Sequence, residues 1–282
     1  MISLNQEDII NTLRSVGIKA NDHLFIHSSL FALGNIQNTK IQDLPLALLE
    51  CFKTAIGDDG SIFMPAFNYQ FPSTRYADLR TQKTELGSWP EWFRQQSGVV
   101  RSGHPMFSIC GLGTDAETIC QPEHKEQYSF GENSTFQRLI ETDCVLVLQG
   151  VGLKVATVIV QIEAMLGLNY RFNKPFFGEL TLPNGSTIQD NFYHFCFPIN
   201  NAYRESYTSL EKALLSTGTM QQAQLGRSFI YTVRMKALYT FIKSFIEQDP
   251  FALLNSKPKQ LYKFENGQEI AYEISNHPHH TL

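Results

Sequence analysis

The chain has 282 residues, of which 43% are apolar and 12% aromatic, and it carries a formal net charge of −4. This composition indicates a globular protein with a substantial core, and its mild acidity argues against a nucleic-acid surface. Because the N-terminus lacks a basic lead and no segment reaches the ~18 apolar residues that span a bilayer, we expect a cytoplasmic protein without membrane insertion.

Apolar spacing and turn residues predict an alternation of helices and strands. The predicted elements are a helix at 6–16, a strand at 22–30, a helix at 44–55, strands at 61–65 and 144–149 with a helix at 89–96 between them, a helix at 157–166, a strand-like piece at 179–182, and helices at 209–216 and 233–248. This order favours α/β packing. We expect one domain over 1–275, followed by a polar tail at 276–282.

Two predicted strands end in small residues, where backbone amides and hydroxyls can face a ligand. The strand at 22–30 ends in His27-Ser28-Ser29-Leu30. The strand at 144–149 ends in Gly150-Val151-Gly152, just before the helix at 157–166. The first of these turns is therefore a candidate part of a binding site.

The order of short motifs along residues 27–254 resembles that of the antibiotic N-acetyltransferase family, to which the aminoglycoside 3-N-acetyltransferases belong. The matching pieces, in chain order, are His27-Ser28-Ser29-Leu30, Gly57 to Gly60, Phe63-Met64-Pro65-Ala66-Phe67, Arg101-Ser102-Gly103-His104-Pro105 with Ser108, Gly113 with Ala116, His124 with Phe130-Gly131 and Ser134, Gly150-Val151-Gly152 with Thr157 and Glu163, Gly218, Gly226-Arg227-Ser228, and Asp249-Pro250 with Leu253-Leu254.

The resemblance implies a three-layer α/β/α fold with a central mixed β-sheet. It also implies direct transfer of an acetyl group from acetyl-coenzyme A, as cosubstrate, to the amine of a small amino sugar. The family needs no metal, and the five cysteines are scattered without the short paired spacings of a zinc site or a disulfide framework. Homo-oligomerisation is left open.

The resemblance assigns His27, Ser28, Ser29 and Leu30 to cofactor binding, since amides and hydroxyls at a strand end can hold the pantetheine arm and the thioester oxyanion. The structural alternative is a serine cap on the following segment, with His27 packed and hydrogen-bonded.

Arg101 and Ser102 are expected at a coenzyme A phosphate, because a guanidinium fork matches phosphate oxygens. The alternative for Arg101 is a solvated surface residue. His104 is a candidate for positioning the reacting groups, with a structural hydrogen bond to the backbone as its alternative. Asn68 and Tyr69, after the strand at 61–65, are predicted to contact the acceptor.

Thr157, Val160 and Glu163 share one face of the predicted helix, because they are three residues apart. Thr157 is assigned to the cofactor. In the family the middle position typically holds a histidine that helps to deprotonate the acceptor amine, but a valine cannot accept a proton. Glu163 is therefore predicted to serve as the base or to orient the ammonium. His194 is a second candidate base, with a half-buried strand histidine as its alternative.

The missing histidine and the modest acidity favour an unusual acceptor. The preferred hypothesis is a nucleotide-linked deoxyamino sugar destined for surface polysaccharide synthesis. One alternative is an aminoglycoside 3-N-acetyltransferase that confers antibiotic resistance. The other is a noncatalytic member that binds coenzyme A or a sugar without transferring an acyl group.

Overall fold

The computed structural model describes residues 3–199 and 203–274, so the predicted tail at 276–282 lies outside the described residues. The helices are α1 (Gln6–Ser15), α2 (Leu44–Ile56), α3 (Phe71–Thr74), α4 (Ser88–Phe93), α5 (Ala116–Cys120), α6 (Thr135–Glu141), α7 (Val158–Met165), α8 (Thr208–Ser216) and α9 (Met235–Ile246). The strands are β1 (Ser3–Leu4), β2 (His23–Ser28), β3 (Asn35–Ile36), β4 (Ser61–Pro65), β5 (Tyr76–Asp78), β6 (Val100–Arg101), β7 (Ile109–Gly113), β8 (Val145–Gln149), β9 (Phe172–Thr181), β10 (Thr187–Cys196), β11 (Gln221–Leu225), β12 (Ser228–Arg234), β13 (Leu261–Glu265) and β14 (Gln268–Tyr272).

The first two long helices begin and end at residues suited to those positions. Asn5 caps α1, because its side-chain oxygen accepts a hydrogen bond of 2.7 Å from the Asp8 amide. Pro45 lies in the first turn of α2, where a missing amide hydrogen is harmless, and Gly57 ends that helix with a positive φ of 74°.

A seven-stranded sheet forms the centre of the described structure, in the order β11-β12-β8-β2-β4-β7-β6. Strands β8, β2 and β4 run parallel, whereas the strands outside them pair antiparallel. The sheet is therefore mixed, and the carboxyl ends of β2 and β8 lie side by side at one of its edges. A separate sheet has the order β10-β9-β5, with β9 and β10 antiparallel.

Side chains alternate between two apolar cores along the central strands, as the two-residue period of a strand requires. On β2, Leu24 and Ile26 face the core that contains α1, α2 and α4, whereas Phe25 faces the opposite core with α5 to α9. Strand β8 alternates in the same way, with Val147 towards the first core and Leu146 towards the second. This arrangement confirms the predicted three-layer α/β/α fold with a central mixed sheet.

Several predicted elements differ from the structure in extent. The piece predicted at 179–182 is the end of a ten-residue strand, β9, which pairs along its whole length with β10. The helix predicted from Val233 begins at Met235, because Val233 still belongs to β12 and pairs with Leu146. The prediction that residues 1–275 form a single domain stays a prediction.

Candidate acyl-transfer site

The turn after β2 is tied to the end of β8. Ser28 Oγ donates to Gln149 Oε1 over 3.1 Å, and the Ser29 amide donates to the Gln149 carbonyl over 2.9 Å. Gly150 follows with a φ of 68°, and a Cβ at that position would stand 2.6 Å from the Ala32 Cβ. The two strand-end turns that the sequence singles out are thus packed against each other.

Two buried side-chain nitrogens at these strand ends, His27 Nε2 and Gln149 Nε2, have no hydrogen-bond partner among the described residues. Burial lowers the pKa of His27 to about 3, so the ring is neutral at physiological pH. Ser29 occupies the cap position of a 3₁₀ turn at Leu30–Leu33 without a side-chain capping bond. No side-chain hydrogen bond of Ser29 therefore supports the alternative of a serine cap. The assignment of this turn to cofactor binding stays a prediction.

A cavity of ≈170 Å³ opens where β8 leads into α7. Thr157 and Val160, two members of the predicted helical trio, line it directly. The other lining residues are Lys154, Val155, Ala156, Arg171, Glu205 and Tyr207. Thr157 Oγ1 donates to the Val155 carbonyl over 3.3 Å and makes no capping bond to α7.

Glu163, the third member of the trio, is fully buried behind the cavity wall. Its Oε2 accepts a hydrogen bond from Arg171 Nε over 2.7 Å, and its Oε1 accepts one from the Tyr170 hydroxyl over 2.8 Å. Burial raises the pKa of the Glu163 carboxyl, while Arg171 and Tyr170 act in the opposite direction. Both carboxylate oxygens are engaged, so the geometry favours a carboxylate that fixes Arg171 over one that meets an amine.

The two candidate histidines lie around Phe107. His194 stacks on that ring at 4.7 Å between centroids, and His104 lies 6.0 Å from it. His104 Nδ1 accepts hydrogen bonds from the Met106 and Phe107 amides over 3.1 and 3.0 Å, which is the structural alternative considered for it. His194 Nδ1 lies 3.5 Å from Ser129 Oγ.

Neither ring is suited to strong proton acceptance. Burial, together with the charge of Arg171, lowers the pKa of His194 to about 3. Burial and the neighbouring His194 lower the pKa of His104 to about 3, against a backbone contact with Tyr193. A base works best when its pKa is near the working pH, so both rings are weak bases here.

Of the two residues predicted to contact the acceptor, Tyr69 is exposed and Asn68 is buried. Tyr69 is 49% exposed and its ring meets Phe107 edge-on at 5.9 Å, in the same cluster as the two histidines. Asn68 is buried, and its side chain is engaged by the Lys83 carbonyl and the Gln70 amide. Tyr69 is thus available to a ligand, whereas Asn68 holds its own loop.

Arg101 and Ser102 are not brought to the strand-end turns. Arg101 ends β6, the edge strand three positions from β2, so roughly 14 Å of sheet separate them. All five guanidinium hydrogens of the buried Arg101 have protein acceptors. These are Ser108 Oγ, the carbonyls of Leu79, Gln82 and Ala66, and Gln82 Oε1. Ser102 Oγ accepts from the Ile109 amide over 2.9 Å. Arg101 therefore has no free N–H group with which to make the predicted contact with a phosphate.

A larger cavity of ≈400 Å³ lies beside Arg101 and is also lined by Arg80 and Arg94. Both of these arginines are paired within the chain, Arg80 with Asp78 at 2.7 Å and Arg94 with Glu91 at 2.5 Å. The cavity therefore presents little uncompensated positive charge to an anion.

Residues 25–247 match the model of a protein family described as aminoglycoside 3-N-acetyltransferase. The chain belongs to this family. Aminoglycoside N(3)-acetyltransferase III of Salmonella sp is 22% identical over 265 residues, which cover 85% of this chain and 90% of that protein. The solved structure of AAC-IIIb in binary complex with CoASH has a TM-score of 0.75 at 19% identity and covers 87% of this chain and 97% of its own. Aminoglycoside acetyltransferase AAC(3)-IIb gives a TM-score of 0.75 at 20% identity, covering 88% and 98%.

The match confirms the predicted antibiotic N-acetyltransferase family, and with it the N-acetyltransferase class of enzyme. Within this family member, the position where a histidine was expected is Val160, which lines the cavity. The family motif that contains Thr157 and Val160 thus lies at the cavity, at the start of α7.

Sequence reasoning found two of the eight residues that line the cavity, and those that it missed include Arg171, Glu205 and Tyr207. Arg171 had only a weak signal, its position between the aromatic residues Tyr170 and Phe172. Glu205 and Tyr207 lie shortly before α8, and only the three-dimensional fold brings these two residues to the start of α7.

Within residues 3–199 and 203–274, no group of three or more His, Cys, Asp or Glu side chains is placed to hold a metal ion. No helix in the described part of the chain is both long enough and apolar enough to cross a membrane. The described cysteines are free, and four of the five are buried.

Proposed function

We propose that this protein transfers an acetyl group from acetyl-coenzyme A to an amine of an aminoglycoside. The observation that carries the proposal is the cavity lined by Thr157 and Val160, beside the strand-end turns, in a chain of the aminoglycoside 3-N-acetyltransferase family. The relative from Salmonella sp supports the acceptor by its name, and the AAC-IIIb complex with CoASH supports the donor.

The cavity volume of ≈170 Å³ is smaller than the ~300–1,000 Å³ of pockets that enclose a whole ligand. It has room for the reacting ends of the two substrates, the thioester and the amine, while the remainder of each lies outside. Because no activated nucleophile has been identified among the lining residues, transfer goes directly from thioester to amine with both substrates bound together.

The charges around the cavity suit this chemistry. Arg171 brings a positive charge that is held in place by Glu163, and Glu205 brings a carboxylate. A cationic acceptor is attracted by the carboxylate, and a developing oxyanion is stabilised by a fixed positive charge. Aminoglycosides are polycations, so their binding should weaken as salt screens these charges.

A nucleotide-linked deoxyamino sugar for polysaccharide synthesis is the second candidate acceptor, and Val160 is the feature in its favour. Such an acceptor, with a less basic amine, needs less help in losing its proton. The comparisons favour the aminoglycoside, since the relatives described above are named for that substrate class.

The test is incubation of the purified protein with acetyl-coenzyme A and a panel of aminoglycosides and nucleotide amino sugars, read by mass spectrometry for acetyl addition. Acetylation of an aminoglycoside, with a Michaelis constant that rises with salt, and drug resistance in a bacterium expressing the gene are the expected results. Acetylation of nucleotide sugars alone would move the assignment to the second acceptor. Binding of coenzyme A without transfer to any acceptor would identify a noncatalytic member and refute the proposal.

A further inference from the structure

Glu205 and Tyr207, which lie shortly before α8, line the cavity together with residues at the start of α7. Resting on the proposed function, we propose that Glu205 receives the proton of the attacking amine, the role for which Val160 has no suitable group. In the same step the Tyr207 hydroxyl donates a hydrogen bond to the thioester oxygen. Both side chains line the cavity together with Val160.

Glu205 is a half-buried carboxylate without a hydrogen bond or an ion pair to any described residue. It differs in this from Glu163, whose two oxygens are taken up by Arg171 and Tyr170. Of the two carboxylates near Val160, only Glu205 therefore combines access to the cavity with unoccupied lone pairs. A general base must meet the proton that it accepts, so access decides between them.

Tyr207 supplies independent evidence that the cavity receives a polar ligand. Tyr207 is only 5% exposed, yet its hydroxyl makes no hydrogen bond of good geometry to a described residue, although the Arg171 guanidinium lies close to it and lowers its pKa against the effect of burial. A buried, unsatisfied hydroxyl is rare in native proteins because leaving it unpaired costs about 1–3 kcal/mol. Burial raises the pKa of Tyr207 well above its ordinary value, so the group stays a neutral donor.

Charged and titratable groups surround Glu205. Burial raises the pKa of both the Glu163 carboxyl and the Tyr207 hydroxyl, and the charge of Glu205 adds to both shifts, as expected for near neighbours. The charged and titratable groups around it are Glu163, Arg171, Lys154 and Tyr207.

The step balances as follows. The Glu205 carboxylate takes one proton from the acceptor ammonium, and the lone pair of the neutral amine then forms a bond to the acetyl carbonyl carbon. The carbonyl electron pair moves to oxygen, which the Tyr207 hydroxyl stabilises. The carbon–sulfur bond then breaks with its electrons on sulfur and the carbonyl re-forms. The coenzyme A thiolate takes the second nitrogen-bound proton, and Glu205 releases its proton to solvent.

The experiment compares steady-state kinetics of the whole protein with those of Glu205→Gln, Glu205→Asp, Glu205→Ala and Tyr207→Phe, with acetyl-coenzyme A and the best acceptor of the panel. Glu247→Gln, on an exposed carboxylate after α9, is the matched control. We expect kcat to fall by ~10²-fold or more in Glu205→Gln at neutral pH and to recover in part at high pH, since free amine becomes available. Added formate should restore turnover to Glu205→Ala but not to Glu205→Gln.

Glu205→Asp should keep more activity than Glu205→Gln, and Tyr207→Phe should lower kcat by ~10²-fold with little change in the Michaelis constant. Melting temperatures of the Glu205 variants should stay at the wild-type value, because the side chain has no partner to lose. A Glu205→Gln variant with near-normal kcat, or a loss that neither pH nor formate reverses, would overturn the assignment. Absence of transfer by the wild type would overturn the proposed function itself, before any variant is made.

Discussion

Glu163→Gln is predicted to destabilise the protein rather than to remove its base. The substitution keeps the shape of the side chain but removes the negative charge that Arg171 meets over 2.7 Å in a fully buried setting. Arg171 is itself only 9% exposed, so the variant leaves an uncompensated charge inside the protein. Breaking a buried pair in this way costs about 3–5 kcal/mol. At ~2 °C per kcal/mol for a chain of this size, the melting temperature should fall by ~6–10 °C.

The assay is differential scanning calorimetry, combined with turnover measured well below the melting temperature. Tyr170→Phe is the graded control, because it removes one hydrogen bond to Glu163 without removing the charge, at about 1 kcal/mol or ~2 °C. The double variant Glu163→Gln/Arg171→Met removes both charges, so it should lose less stability than the sum of its two single variants.

A Glu163→Gln variant with an unchanged melting temperature would refute the argument from the buried pair. If that variant also lost ~10²-fold in kcat and recovered at high pH, Glu163 would be the base after all, as the sequence predicts. The two roles are therefore separated by stability and the pH profile, measured on the same protein.

Three further predictions concern residues that the sequence assigns to the cofactor or, for His104, to positioning the reacting groups. Arg101→Met should lower stability by at least ~3 kcal/mol, because it leaves several buried acceptors unpaired, while calorimetric affinity for coenzyme A stays unchanged below the melting temperature; a tenfold weaker affinity with normal stability would restore the phosphate contact. Ser28→Ala should lose about 1 kcal/mol with the bond to Gln149 and weaken coenzyme A binding several-fold, whereas an unaltered dissociation constant would remove this turn from the cofactor site. His27 and His104 have a pKa of about 3 when folded, so unfolding takes up protons as the pH falls below ~6.5 and stability declines towards pH 3. His27→Phe should flatten that decline by ~1 kcal/mol per pH unit on average in urea titrations between pH 7 and 5, and an unchanged slope would contradict the buried neutral ring.

The fold was predictable where local signals were strong. Gly57 and a regular apolar spacing delimit α2, and the buried run of β4 was predicted with the bounds that the structure shows. Only the end of β9, at 179–182, was predicted from the hairpin of β9 and β10. The rest was missed because many of its residues are half-buried without clear alternation, and Pro175 interrupts the strand pattern. Its stability comes from pairing over ten positions and from packing, neither of which is written in a short window of sequence.

The site was predictable only in part, for a related reason. Helical spacing places Thr157, Val160 and Glu163 on α7, but it does not say that Glu163 points into the protein. Arg101 was assigned to a coenzyme A phosphate because guanidinium groups bind phosphates. In the structure its guanidinium instead donates to five protein acceptors, none of which is adjacent to it in the chain. Glu205 and Tyr207 reach the cavity only through the tertiary fold, and no sequence motif predicts that contact.

The neighbouring positions of β2 and β8 also determine when the site can form during synthesis. Ser28 and Gln149, which join the two strand ends, are 121 residues apart in sequence, and Thr232 on β12 reaches the Val16 carbonyl from 216 residues away. Such distant pairings give the chain a high contact order, which slows folding because long loops must close first. At ~5–20 residues per second, the ribosome exposes β2 well before β8 and β12 exist. Until β12 emerges, β8 has an unpaired edge, so a chain truncated before residue 228 is expected to aggregate rather than to form a smaller working enzyme.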